Sequence, residues 1–264
     1  MNVVILCEGS SDATLLGQYM MQAEGFVWRD PMEALDDRVF DIRSYDIKDR
    51  IQMYDAEGDA LAIWAVDGSA HFADATKRLM QNNRKGDVFS RADAVAVVMD
   101  YDSEADANQY TEACMAGFDV SQSWTAAQMR EQWCKTGYQD DFEQTAHLLL
   151  TAIWIPSNQP GALESFLLEA LKKQDDRKKN LAKQSEDFVQ DLINHPDLHP
   201  KEYLRRRRDC VKAPLAVYFA IASPNRMMQK LREVLDSVDW SEYREVQTTF
   251  ARLSRDVIRK EWKR

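Results

Sequence analysis

The chain has 264 residues, a 45% hydrophobic and 30% charged composition, and a formal net charge of -10. That make-up belongs to an ordinary globular protein with room for one large domain or two small ones, and no apolar run approaches the ~20 residues of a membrane span. The N-terminus runs straight into a strand pattern without a basic leader, and Cys7, Cys114, Cys134 and Cys210 form neither a CxxC pair nor a zinc spacing, so a cytoplasmic protein with reduced thiols is expected.

The first element is an apolar run at residues 3–7, which reads as a buried strand. A helix follows over about 12–24, capped by Ser10 or Ser11, with Leu15, Leu16, Tyr19 and Met20 on its inner face. Residues 38–55 read as a polar insertion with one or two short edge strands. A second buried strand covers 60–66 and ends in Asp67-Gly68-Ser69, before a helix over about 71–82. A third strand at 94–99 precedes a helix over about 103–116. Residues 121–146 read as polar and partly helical, with Trp124 and Trp133 as packing anchors, and a fourth strand at 148–155 stops at Pro156. The order β-α-β-α-β-α-β predicts an α/β fold with a parallel sheet, right-handed crossovers and flanking helices.

Beyond Pro160-Gly161 the periodicity is helical throughout, with helices expected around Leu163–Leu171 and Phe188–Ile193, over 201–222 with a break near Pro214, over 225–236, and over 241–262. Trp240, Tyr243, Phe250 and Trp262 suit either a homodimer face or packing onto the sheet. Residues 1–171 hold 12 Lys and Arg against 29 Asp and Glu, whereas residues 172–264 hold 22 against 15. This shift from acidic to basic suggests two units, an α/β domain over 1–171 and a helical C-terminal subdomain over 172–264. The run Arg205, Arg206, Arg207 and Arg208 is either a track for a nucleic-acid backbone or a solvated helix face.

The chemistry-bearing residues gather where strands end. The first strand ends in Glu8-Gly9-Ser10-Ser11-Asp12 and the third in Asp100-Tyr101-Asp102. Open α/β sheets bind ligands beyond the carboxyl ends of their strands. Carboxylates gathered there repel one another unless a cation lies between them, and an all-oxygen donor set suits Mg²⁺ or Mn²⁺. Two of these acids also have a plainer role: Asp12 as a helix N-terminal charge, Glu8 as a solvated side chain.

An opening strand ending in Glu-Gly-x-x-Asp, followed after a βα unit by a strand ending in Asp-x-Asp, resembles the TOPRIM domain, a Rossmann-like metal-binding module of topoisomerases, primases, recombination mediators and OLD-family nucleases. The resemblance covers about residues 1–160. It implies that Glu8 is the acidic catalytic residue and that Asp100 and Asp102 are metal ligands. The chain is closest to small OLD-type TOPRIM nucleases, in which Asp12 and Glu164 would serve a second metal and Lys212 would offset charge on the phosphate. The function so implied is a Mg²⁺-dependent nuclease acting on DNA or RNA, tRNA included, as a regulated effector in anti-phage defence beside a separate ATPase. The alternative is a non-catalytic TOPRIM-like adaptor that binds nucleic acid or a partner.

Overall fold

A computed structural model describes residues 1–30, 51–86, 91–118, 124–157, 161–195, 204, 207–224, 235 and 238–264. In chain order the elements are β1 (Asn2–Cys7), α1 (Ser10–Glu24), β2 (Val27–Arg29), β3 (Ile51–Ala56), β4 (Asp59–Ala65), α2 (Phe72–Lys85), β5 (Ala94–Asp100), α3 (Glu104–Phe118), α4 (Ala126–Glu131), β6 (Cys134–Gln139), β7 (Thr145–Ile155), α5 (Leu163–Lys172), α6 (Asp176–Asn194), α7 (Arg207–Ala222), α8 (Arg244–Phe250) and α9 (Arg255–Lys263).

The strands form one sheet of seven, ordered β2-β3-β4-β1-β5-β7-β6. The inner pairs β4–β1, β1–β5 and β5–β7 are parallel, and the outer pairs β2–β3, β3–β4 and β6–β7 are antiparallel. The inner strands carry the continuous apolar runs because helices cover both of their faces. Side chains still alternate: Val3, Ile5 and Cys7 face one layer with Ala96 and Val98, whereas Val4 and Leu6 face the other with Val95 and Val97. The first layer holds α1 and the helices from α5 onward, through Leu16, Phe166, Ala182, Leu215, Phe250 and Ile258. The second holds α2, α3 and α4, through Phe72, Leu79, Cys114, Phe118 and Met129. The helices beyond residue 171 therefore share one core with α1 and the sheet. Trp240, Tyr243 and Phe250 are buried in it, and Trp262 packs against it half-buried.

Four expectations need correction. Residues 121–146 are not merely helical: α4 is followed by β6, which pairs antiparallel with β7 at the sheet edge. Its alternating burial was masked by Lys135, Gly137 and Gln139 among the six residues. The strand β2 was not expected either; Val27 and Trp28 are apolar, but three residues are too short a run to show a strand period, and all three are exposed. Pro214 does not break α7, which runs unbroken from Arg207 to Ala222. Packing against α5 and α6 outweighs the lost hydrogen bond, a cost of about 3 kcal/mol. Residues 241–262 are not one helix: three-ten turns at Trp240–Glu242 and Ala251–Leu253 flank α8, and the chain turns at Ser254 into α9.

That turn lets Phe250 and Leu253 enter the core while the Arg252 guanidinium reaches the sheet. It donates to the Met129 carbonyl at 3.1 Å, the Thr151 hydroxyl at 2.7 Å and the Ala152 carbonyl at 2.9 Å. Of the polar insertion over 38–55, residues 38–50 lie outside the described residues, and the rest belongs to the strand β3. The expected helix over 225–236 also falls almost wholly outside them. No helix among the described residues is long and apolar enough to cross a membrane.

Candidate functional site

From β1 the chain leaves toward β4 through α1, and from β5 it leaves toward β7 through α3. The carboxyl ends of β1 and β5 are therefore neighbours at a point where the connections diverge, the place at which open α/β sheets leave a crevice. Glu8 follows β1 directly, and its Oε1 accepts the Asp100 backbone N–H at 3.1 Å. The loop after β4 closes the crevice on the other side. There Asp67 and Gly68 adopt left-handed backbone (φ 71° and 112°), and the Gly68 N–H donates to the Glu8 carbonyl at 2.8 Å.

Two helix N-termini enter this crevice. Asp12, in the first turn of α1, returns its Oδ2 to the Gly9 N–H at 2.8 Å. Asp100 Oδ1 accepts the N–H of Leu163, the first residue of α5, at 2.9 Å. The next residue, Glu164, presents its Oε1 to Lys212 Nζ of α7 at 2.6 Å, and its Oε2 is buried without a hydrogen-bond partner. The turn before α5 is held by backbone bonds from the Tyr101 N–H to the Ile155 carbonyl (2.8 Å) and from the Gly161 N–H to the Tyr101 carbonyl (2.7 Å). A Cβ on Gly161 would lie 2.7 Å from Ser165 Oγ and 3.0 Å from Pro156 Cδ, so a side chain there would displace the Ser165 hydroxyl and press on the proline ring.

The structure therefore brings Glu8, Asp12, Asp100, Glu164 and Lys212 together, although they are spread over more than two hundred residues of sequence. Asp102 is exposed at the rim and acts on Glu8 through its charge. Of the basic run, Arg205 and Arg206 lie outside the described residues, and only the backbone of Arg207 and Arg208 is described, at the start of α7.

The electrostatics are those of carboxylates short of positive charge. Burial, then the charges of Asp12 and Glu8, push Asp100 up to about 8, against the Leu163 N–H. Burial pushes Glu8 up to about 7; the Asp100 N–H and Lys212 oppose this, and Asp12 and Asp102 add to it. Asp12 rises to about 6, again mainly by burial, with Glu164 adding and the Gly9 N–H and Lys212 opposing. Burial works against the charge on Lys212, but the Glu164 hydrogen bond and the charges of Glu164, Asp100 and Asp12 outweigh it, so its pKa is raised. Lys212 is thus a tethered cation among carboxylates.

As to a metal, the donor chemistry fits: the side chains offer only carboxylate oxygens, one of them buried and unpartnered, and three carboxyls are pushed toward their neutral forms. The side chains do not form a ready cage. Among the described residues no group of three or more His, Cys, Asp or Glu converges on one ion. Each of Glu8, Asp12, Asp100 and Glu164 is turned onto an N–H donor or the lysine instead.

Sequence reasoning missed Arg130. Its guanidinium lies 4.3 Å from the Trp154 ring centre and 5.4 Å from that of Tyr101, and it donates to the Ser157 carbonyl at 2.6 Å. Nothing local marks position 130, because the aromatic rings it covers come from the ends of β5 and β7.

Fold and crevice together define an α/β protein with an acidic site, joined by Lys212, at the carboxyl end of its parallel strands. A family model described as a protein of unknown function, DUF3226, matches residues 2–252, and the chain belongs to that family. In fold it is similar to the crystal structure of the hypothetical protein PH0156 from Pyrococcus horikoshii OT3. The two share 13% identity with a TM-score of 0.51, over 99% of this chain and 94% of the other. No curated protein matches the sequence.

Proposed function

We propose that this protein is a Mg²⁺- or Mn²⁺-dependent nuclease of TOPRIM type that hydrolyses phosphodiester bonds in DNA or RNA. The observation that carries this reading is the tie between Glu8 and Asp100, made by the Asp100 N–H, inside a crevice whose carboxyls titrate near neutral pH and in which Lys212 lies among the acids. Glu8, Asp100 and Asp102 would hold one ion, and Asp12 and Glu164 would help hold a second. Bound there, divalent ions would neutralise phosphate oxygens and supply an acidic water. Without metal Glu8 titrates at about 7, and a divalent ion held beside it would favour its ionised form, the form a general base uses. Lys212, half-exposed at the mouth, would face the charge that builds on the phosphate.

A second reading is a binding module without catalysis. It is favoured by the structural use of two acids: Asp12 caps α1 and Asp100 caps α5. Incubation with plasmid, single-stranded DNA and bulk tRNA, with Mg²⁺, Mn²⁺ or EDTA, separates the two. Metal-dependent cleavage that is absent in Glu8→Gln supports the nuclease. Binding without cleavage of any of the three supports the module.

A further inference from the structure

The turn from β6 into β7 holds a phenylalanine out into solvent. Phe142 is 68% exposed, and its neighbours Asp141 and Glu143 are exposed as well. An isolated exposed apolar side chain needs no explanation by itself, but the backbone beneath this one is fixed. The buried Asp140 carboxylate accepts the N–H groups of Phe142 at 2.9 Å and Gln144 at 2.8 Å on Oδ1, and the Arg91 guanidinium at 2.6 Å on Oδ2. The Asp141 N–H donates to the Arg84 carbonyl at 3.1 Å, and Glu143 takes left-handed backbone with φ 60°. The direction of Phe142 is thus set in advance, so little backbone freedom remains to be lost on docking.

A pocket of about 300 Å³ lies beside this turn, between α2 and α3. Lys77, Met80, Gln81 and Arg84 line it from one face of α2, and Ala116 and Gly117 line it from α3. The helices approach closely there because Gly117 has no side chain: a Cβ would lie 2.8 Å from the Ala73 carbonyl oxygen. The lining holds two cations and no carboxylate, and α2 as a whole carries Lys77, Arg78, Arg84 and Lys85 against Asp74 alone. Glu112 of α3 falls one turn before Ala116, outside the lining.

Turn and pocket meet at Arg84, whose side chain lines the pocket and whose carbonyl holds the turn. A projecting aromatic with acidic flanks and a basic pocket therefore lie side by side on one surface. Phe142 does not fill the pocket of its own chain, since most of it is in solvent. A patch that carries both members is self-complementary about a two-fold axis, where each copy offers its projection to the other's recess.

We propose that this face joins two copies of the chain in a two-fold dimer, with Phe142 of each seated in the other's pocket and with Asp141 and Glu143 facing Lys77 and Arg84. The face lies at the amino ends of β5 and β7, because α2 leads into β5 and the turn leads into β7. The carboxylate crevice lies at the carboxyl ends, so the dimer leaves both crevices open. The proposal stands apart from the nuclease reading and does not depend on it.

Sedimentation velocity of the full chain over a range of concentrations, without metal or nucleic acid, tests it. The wild-type chain is expected to pass from monomer to dimer with a Kd on the order of 1–100 µM. Phe142→Ser spares the Asp140 bonds and should weaken the dimer about 10- to 100-fold. Lys77→Glu should weaken it as well, and Glu143→Lys added to Lys77→Glu should restore it at least in part, because each reversed charge meets its match on the other copy. Circular dichroism should show the fold unchanged in each variant. A chain that stays monomeric across the whole range overturns the proposal, and so does a dimer unmoved by both Phe142→Ser and Lys77→Glu. A ladder of larger oligomers would mean that turn and pocket meet head to tail, which overturns the two-fold arrangement.

Discussion

The backbone N–H of Asp100 donates to the carboxylate of Glu8 across 3.1 Å, so the acid that ends one central strand is positioned by the acid that ends the next. Gln at position 8 keeps an oxygen acceptor for that N–H and loses the ionisable group. Glu8→Gln is expected to retain the fold, with a melting temperature within a few degrees of the parent, and to lower metal-dependent kcat/KM by about 10²–10⁴-fold. Circular dichroism and a cleavage time course check both halves. Full-rate cleavage by this variant would remove Glu8 from the chemistry.

Stability should depend on pH with an unusual sign. Glu8, Asp12 and Asp100 are raised to about 7, 6 and 8, whereas in the unfolded chain they return to ordinary carboxylate values near 4. Between those limits the folded protein binds more protons than the unfolded one, so stability falls as pH rises from about 4 to 8. Melting without divalent metal should therefore drop across pH 5–8, by about 2–4 °C for each ~1 kcal/mol lost. Mg²⁺ or Mn²⁺ added at pH 8 should recover part of the loss, and Asp100→Asn should flatten the profile. A melting temperature that climbs from pH 5 to 8 without metal contradicts the assignment.

Lys212 neutralises part of the crevice, through Glu164 at 2.6 Å and through its effect on Glu8 and Asp12. Its replacement by Met leaves the carboxylates with one positive charge fewer. Titration with Mn²⁺, read by the paramagnetic signal of the free ion, should show about 5- to 10-fold tighter binding for Lys212→Met. Cleavage should fall at the same time by about 10-fold or more, because the phosphate loses a cation. Weaker Mn²⁺ binding in this variant would mean that Lys212 assists the ion instead of standing in for it.

Arg252 fastens the C-terminal segment to β7 and to the end of α4. Burial pushes its pKa down to about 10, and its three hydrogen bonds end on Met129, Thr151 and Ala152. Arg252→Met removes three donated bonds from the interior, while the Thr151 hydroxyl still donates to the Met129 carbonyl, at a cost of about 2–4 kcal/mol. Urea unfolding should show a lower midpoint with an unchanged slope, and metal binding at the crevice should persist.

The central strands were legible because burial on both faces demands unbroken apolar runs, and such runs stand out at 3–7, 60–66, 94–99 and 148–155. Their acidic ends were legible for the same reason, since Glu8 and Asp100 fall at the first polar positions after those runs. Edge strands were not. In β6, polar side chains alternate with buried ones, and only its pairing with β7 decides the conformation of Cys134–Gln139. The C-terminal helices misled in opposite directions: tertiary packing carried α7 through Pro214 and divided 241–262 between α8 and α9.

Local residue chemistry was enough to determine the α/β class, the parallel centre and the acids at its carboxyl edge. The tertiary structure decided which groups answer those acids. Glu164 and Lys212 are separated by dozens of residues, and their 2.6 Å contact exists only because α5 and α7 pack on the same face of the sheet as α1. Arg130 reaches the ends of β5 and β7 by the same kind of long-range placement. Strand burial is written in neighbouring residues, whereas the charge balance of a crevice depends on side chains that only the packing of distant helices brings within a few ångströms.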